Sequence, residues 1–95
     1  MLTAESKVQT NPAVVDTTLP NSEVVLLHLG TKRYYSLNQT GSLIWQLLGK
    51  GLSMGEIGRN LESAFDVTPE EARQSVLELV NELFTEDLAV PAPAE

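Results

Sequence analysis

The residues that could do covalent chemistry are few in this chain, and they do not group together. Among its 95 residues there is no cysteine and a single histidine, His28. Without a thiolate or a second imidazole, the sequence offers no cysteine nucleophile and no zinc cluster. No nucleophile–base pair, metal-ligand spacing or phosphate-binding loop occurs elsewhere in it. The sequence therefore predicts a protein that is not an enzyme, with no catalytic residue, no metal and no cofactor.

Charge is the second chemical feature, and it argues against nucleic acid as a partner. The sequence contains thirteen acidic and six basic residues, which gives a net charge of −7. The basic residues are scattered, and only Lys32 and Arg33 are adjacent. Because Lys and Arg contacts to phosphates supply most nucleic-acid affinity, we expect a protein or peptide partner. Glu71, Glu78 and Glu82 share a polar helix face, which is either a solvated face or a docking face for a basic partner.

The sequence predicts three strands followed by three helices, and these elements position the charged and polar residues named above. Alternating and β-branched runs predict antiparallel strands at 13–19, 23–29 and 32–37. Apolar residues at helical spacing and capping signals predict helices at about 39–48, 54–65 and 69–84. This order indicates an α+β domain at 13–90, between a flexible N-terminal tail at 1–12 and a disordered C-terminal tail at 91–95.

Two corners of the predicted domain have recognisable chemistry. Gly30-Thr31 lies between the second and third strands and predicts a hairpin turn. The third strand then runs directly into the first helix, where Asn38 or Thr40 supplies the N-cap oxygen.

No apolar run reaches the 18 residues of a membrane span, and the N-terminus lacks the pattern of a signal peptide, so we expect a cytoplasmic protein that binds no membrane.

The third predicted helix is apolar over an unusually wide sector. At about 100° per residue the sector spans roughly 160°, with Val76 and Val80 near its centre. Leu79 lies on one flank, and Leu77 and Phe84 lie on the other. Either the helix is simply well buried, or one flank faces something outside this chain. We expect the second case on the Leu77 and Phe84 side, with Arg73 at its rim.

We expect the third strand to leave one edge of the sheet without a neighbour. An open edge is commonly blunted by charge, and Lys32 and Arg33 would do so here. The alternative is that the edge accepts an extended peptide as an additional strand. Guest side chains that face inward would then enter the cleft between this strand and the third helix.

A family resemblance supports the second alternative. The run Arg33-Tyr34-Tyr35-Ser36-Leu37-Asn38-x-Thr40-Gly41, followed by Ile44-Trp45-x-Leu47-Leu48, resembles the PqqD-like RiPP precursor peptide recognition elements. It is similar above all to the stand-alone leader-binding proteins of lasso-peptide biosynthesis. The resemblance covers roughly 14–90 and shows no departure from the motif.

The resemblance implies a peptide chaperone without catalytic activity. Its fold would be winged helix-turn-helix-like, and the leader of a precursor peptide would add to the third strand beside the third helix. The implied peptide-binding residues are Lys32, Arg33, Tyr34, Tyr35, Ser36, Arg73, Val76, Leu77, Val80 and Phe84. The maturation enzyme that receives the precursor would be a leader-removing cysteine protease.

Other readings of the sequence stay open at this point. In quinone-cofactor or other modified-peptide pathways, a PqqD-type chaperone serves a radical enzyme instead. A winged-helix DNA-binding protein would share the order of elements, but it needs a basic recognition helix, and the third helix offers only Arg73. Because an uncovered edge permits strand exchange, we expect either a monomer or a strand-exchanged dimer.

Overall fold

A computed structural model describes residues 7–91 of the chain. The parts of the predicted tails at 1–6 and 92–95 lie outside the described residues. The elements, in chain order, are β1 Val8–Thr10, β2 Val14–Thr18, β3 Val24–His28, β4 Tyr34–Leu37, α1 Gln39–Gly49, α2 Met54–Phe65, α3 Pro69–Thr85 and β5 Ala89–Pro91. No helix within 7–91 has the length and apolarity needed to cross a bilayer.

The three central strands form an antiparallel sheet in the order β2-β3-β4. Their side chains alternate between the core and the outer face, as a pleated strand requires: Val24 and Leu26 are buried, whereas Tyr34 on the outer face is 72% exposed. The sheet is followed by the three helices, so the predicted α+β fold with a three-stranded antiparallel sheet is confirmed.

The first and last strands of the described region form a second, two-stranded sheet that the sequence did not predict. Strand β1 pairs antiparallel with β5, placing Val8 opposite Pro91 and Thr10 opposite Ala89. Val8 is only 2% exposed and belongs to the core. The expectation of a flexible tail over 1–12 therefore fails for residues 8–10, and Pro91 belongs to a strand. Each strand has three residues, too few for a visible alternation.

The hairpin between β3 and β4 is longer than predicted, and it removes Lys32 and Arg33 from the strand. Lys32 has a positive φ of 62°, and its N–H donates to the His28 carbonyl at 2.8 Å. The His28 ring organises this loop, because Nδ1 accepts from the N–H groups of Gly30 at 3.0 Å and Thr31 at 3.2 Å. Strand β4 thus begins at Tyr34 and not at Lys32.

The corner between β4 and α1 is held by two polar side chains, those of Asn38 and Ser42. The Asn38 side chain accepts from the Gly41 N–H at 2.8 Å, so Asn38 and not Thr40 is the N-cap. A Cβ added to Gly41 would lie 3.3 Å from Asn38 Oδ1, which explains why the smallest residue stands there. Buried Ser42 accepts from the Val24 N–H and donates to the Leu37 carbonyl, joining helix to sheet.

Capping boxes begin the other two helices where the sequence predicted them. Ser53 and Glu56 cap α2 reciprocally, and Thr68 and Glu71 do the same for α3. Each N-cap stabilises its helix by about 1 kcal/mol. Helix α3 then turns its apolar centre into the core, where the side chains with at most 1% exposure include Leu26, Ile44, Ile57, Leu61, Val76, Val80 and Leu83.

Candidate peptide-binding site

Strand β4 leaves one edge of the sheet unpaired among residues 7–91. The His28 N–H donates to the Arg33 carbonyl at 3.0 Å, so these opposed residues form a hydrogen-bonded pair. Opposed residues in an antiparallel ladder alternate between bonded and non-bonded pairs. Tyr35 therefore bonds back to β3, and the N–H and C=O groups of Tyr34 and Ser36 face the free edge.

Helix α3 lies alongside this edge and contacts it in two places. The Tyr35 hydroxyl donates a hydrogen bond to Glu82 Oε2. One helical turn further on, Arg33 Nη1 lies 3.5 Å from Glu86 Oε2. The strand and the helix run in opposite directions here, and two residues of strand correspond to one turn of helix. We call the space between them the β4–α3 groove.

Two cavities divide the β4–α3 groove. The first has a volume of about 300 Å³ and lies between the start of α1 and the middle of α3. The second, of about 400 Å³, lies toward the end of α3. The first is lined by Asn38, Thr40, Gly41, Ile44, Ser75, Glu78, Leu79 and Glu82. The second is lined by Tyr35, Asn81, Glu82, Thr85 and Glu86. The second cavity borders β4 through Tyr35, and the first lies just beyond the end of β4, at Asn38.

The electrostatic field of the groove is negative. The hydrogen bond to Glu82, burial, and the charges of Glu82 and Glu86 together raise the pKa of Tyr35 to about 12. All of these causes favour the neutral phenol, which donates to a carboxylate, over the phenolate. Tyr35 therefore stays neutral and able to donate to Glu82 across the physiological pH range, and Glu82 borders both cavities.

The structure brings several of the predicted strand residues to the groove. Tyr35 lies in it, Arg33 stands at one end, and Tyr34 and Ser36 contribute backbone groups to the free edge. Lys32 lies in the hairpin loop, away from the edge. That these residues bind a peptide stays a prediction.

The helix face that lines the groove differs from the face predicted. At about 100° per residue, Arg73, Leu77 and Phe84 lie on the side of α3 opposite to Ser75, Leu79 and Glu82. Leu77 and Phe84 pack against the core, and Arg73 is exposed. Val76 and Val80 are at most 1% exposed and hold the helix in place. The groove thus uses the flank of Leu79.

The start of α1 is the part of the groove that sequence reasoning missed. Thr40, Gly41 and Ile44 line the first cavity together with the N-cap Asn38. All four belong to the Leu37–Trp45 motif, which was interpreted as a corner and a core. The signal was present, because a strand that enters a helix directly places the first turn of that helix beside the strand's end.

The remaining polar side chains of interest have structural roles. His28 Nε2 contacts Asp87 Oδ2 at 3.1 Å, and Trp45 Nε1 donates to Asp16 Oδ2 at 2.8 Å. Within 7–91 no group of three His, Cys, Asp or Glu residues is arranged to hold a metal ion. The β4–α3 groove is therefore the candidate site.

The fold and the groove define a small α+β domain of the kind that can receive an extended peptide by strand addition. Comparison with known proteins identifies the family. The family described as "Coenzyme PQQ synthesis protein D (PqqD)" matches residues 23–89, more than half of the chain. The chain therefore belongs to the PqqD family, and the family predicted from the sequence is confirmed. None of the curated proteins matches it significantly.

Two solved structures share the whole fold. One is described as "TbiB1 in Complex with the TbiA(beta) Leader Peptide"; it is 30% identical, with a TM-score of 0.81 over 92% of this chain and 99% of that chain. The other is described as "Lasso peptide synthetase B1 complexed with the leader peptide"; it is 27% identical, with a TM-score of 0.82 over 90% of this chain and 100% of that one. Both of these structures are described as complexes with a leader peptide.

Proposed function

We propose that this protein binds the leader segment of a ribosomally made precursor peptide by adding it as a strand to the free edge of β4. The observation that carries the proposal is an unpaired edge beside a helix, with one cavity between them at Tyr35 and a second cavity beyond the end of the strand. Membership of the PqqD family and the two similar leader-peptide complexes support it. The role is recognition without catalysis.

The bound precursor would then pass to a maturation enzyme. Both similar structures contain a leader peptide, and one of them is described as a lasso peptide synthetase B1. For this reason we favour a leader-removing cysteine protease over a radical enzyme as the maturation enzyme. Precursors are made in the cytoplasm, and we expect the protein there, as a monomer or a strand-exchanged dimer. The DNA-binding alternative is disfavoured, because the exposed groove face of α3 carries Glu78 and Glu82, which repel phosphates.

Proline at the free edge tests the proposal. The N–H of Ser36 faces the groove edge, so Ser36→Pro removes a donor that a guest strand needs. With a synthetic precursor leader peptide that binds the wild-type protein, we expect the dissociation constant to rise about tenfold or more, since at least one backbone bond and the local strand geometry are lost. Isothermal titration calorimetry measures it.

The matched control is Thr18→Pro on the opposite edge of the sheet. The Leu29 N–H donates to the Ala13 carbonyl, and the Leu19 N–H donates to the Glu23 carbonyl. By the same alternation, the Thr18 N–H faces the free edge of β2. This variant should melt at about the same temperature as Ser36→Pro and bind the leader like the wild type. Equal loss of affinity in both variants would contradict strand addition at β4.

A further inference from the structure

The wall that α3 presents to the groove is a row of three glutamates. Glu78, Glu82 and Glu86 follow one another at intervals of four residues, about 6 Å along a helix. Inward side chains of a strand recur every second residue, about 6.6–6.8 Å apart. The helix repeat and the strand repeat are therefore nearly equal in length. Two contacts within the protein already follow this spacing: Arg33 lies opposite Glu86, and Tyr35 lies opposite Glu82.

The next position of this match is the first cavity, and no Lys or Arg of residues 7–91 lines it. Glu78 and Glu82 both line it, and Glu78 accepts only an amide hydrogen bond from Gln74 at 2.9 Å. The start of α1 contributes about half a unit of positive charge at most, and the Asn38 side chain already caps it. Two full carboxylate charges outweigh that contribution, so the cavity favours a cation.

The same cavity also has an apolar part. Ile44 and Leu79 lie beside the two carboxylates, with the small residues Gly41 and Ser75 between the walls. Lysine and arginine bury an aliphatic stem along apolar surface while the charged head remains at a polar rim. An apolar floor below a rim of two carboxylates suits that side chain better than it suits an aliphatic or an acidic one.

From this geometry we infer that the leader carries a lysine or arginine that enters the first cavity, with its stem against Ile44 and Leu79 and its charge at Glu78 and Glu82. The inference rests on the proposed function, because it assumes a guest strand on β4. It reverses what the Lys32-Arg33 pair suggests by itself, namely a preference for acidic leaders. Arg33 is already engaged with Glu86 at the far end of the groove.

A displayed library of random 16-residue peptides tests the inference without knowledge of the natural leader. Selected on the full-length protein, binders should be enriched in Lys or Arg at one position of an extended segment. For the strongest binder, replacing that residue with norleucine should weaken binding roughly 5- to 20-fold, the size of a half-exposed charge-assisted contact. The protein variant Glu78→Gln with Glu82→Gln should show a less than twofold difference between the two peptides.

A second pair of substitutions separates local from overall charge. Glu62→Gln with Glu70→Gln also removes two negative charges, but from α2 and the start of α3, outside both cavities. This variant should retain the 5- to 20-fold preference. Binders that lose affinity in Ser36→Pro but show no basic enrichment overturn this inference alone. Binders that are indifferent to Ser36→Pro overturn the proposed function instead.

Discussion

The sheet has two free edges among the described residues, and they differ in what lies beside them. The edge of β4 faces α3 across a groove with two cavities. The edge of β2 is exposed along most of its length, and its inward Asp16 accepts the indole N–H of Trp45. Unpaired backbone groups are common to both edges. What distinguishes the β4 edge is a neighbouring helix at a distance that admits side chains.

The comparison shows why an open edge is not by itself a binding site. Backbone pairing alone gives about 1 kcal/mol net per hydrogen bond and no sequence preference. Side chains entering pockets provide the specificity in strand addition. The β2 edge offers pairing alone, whereas the β4 edge offers pairing and pockets, and the predictions below test whether that difference decides binding.

The largest effect should come from a positive charge placed in the groove. Leu79→Arg fills part of the first cavity and puts a cation beside Glu78 and Glu82, the two carboxylates proposed to hold the guest cation, so we expect leader affinity to fall roughly 30-fold or more. Leu77→Arg is the matched control, since both leucines are half-buried flank residues of α3. It should lower the melting temperature similarly and leave affinity unchanged. If Leu77→Arg abolishes binding and Leu79→Arg does not, the peptide binds on the other flank of α3.

A change behind the β2 edge should affect stability and not binding. Asp16→Ala leaves the indole N–H of Trp45, a residue only 4% exposed, without its acceptor. We expect the free energy of unfolding to fall by about 1–2 kcal/mol, measured by urea denaturation. Leader affinity at 25 °C should match the wild type. A parallel loss of affinity would mean that the two edges are coupled.

The smallest effect concerns the Tyr35–Glu82 contact that divides the groove. The pKa of Tyr35, about 12, lies above the value of about 10 for an unfolded chain. The contact therefore adds stability that is complete below pH 10 and is lost as the pH rises through about 12. Absorbance titration at alkaline pH should show one late-ionising tyrosine. In Glu82→Gln that ionisation should move toward pH 10; an unchanged titration would mean that Glu82 does not hold the phenol.

The sequence alone was sufficient wherever the signals are local. A nearly continuous apolar run identified β3, alternation identified β4, and the capping boxes at Ser53 and Thr68 identified the starts of α2 and α3. These elements follow from backbone geometry and from hydrogen bonds within a few residues. The family likewise was predictable, because its motif runs continuously from Arg33 to Leu48.

Three features of the structure depend on non-local contacts that the sequence pattern does not show. The pairing of β1 with β5 joins segments about eighty residues apart. Lys32 leaves the strand because the His28 ring organises its loop. On α3, the apolar pattern marks Leu77 and Leu79 equally as flank residues. Only the position of β4 decides which flank faces a groove.

The amino-acid sequence was enough to determine the three helices, the three central strands, the family and the edge strand of this protein, since each depends on spacing along a short stretch of chain. Tertiary structure alone decided the chemistry of the site. In the sequence, the glutamates of α3 are either a solvated face or a docking face for a basic partner. Glu78 and Glu82 line a cavity only because the core side chains Val76 and Val80 fix the rotation of the helix against the sheet.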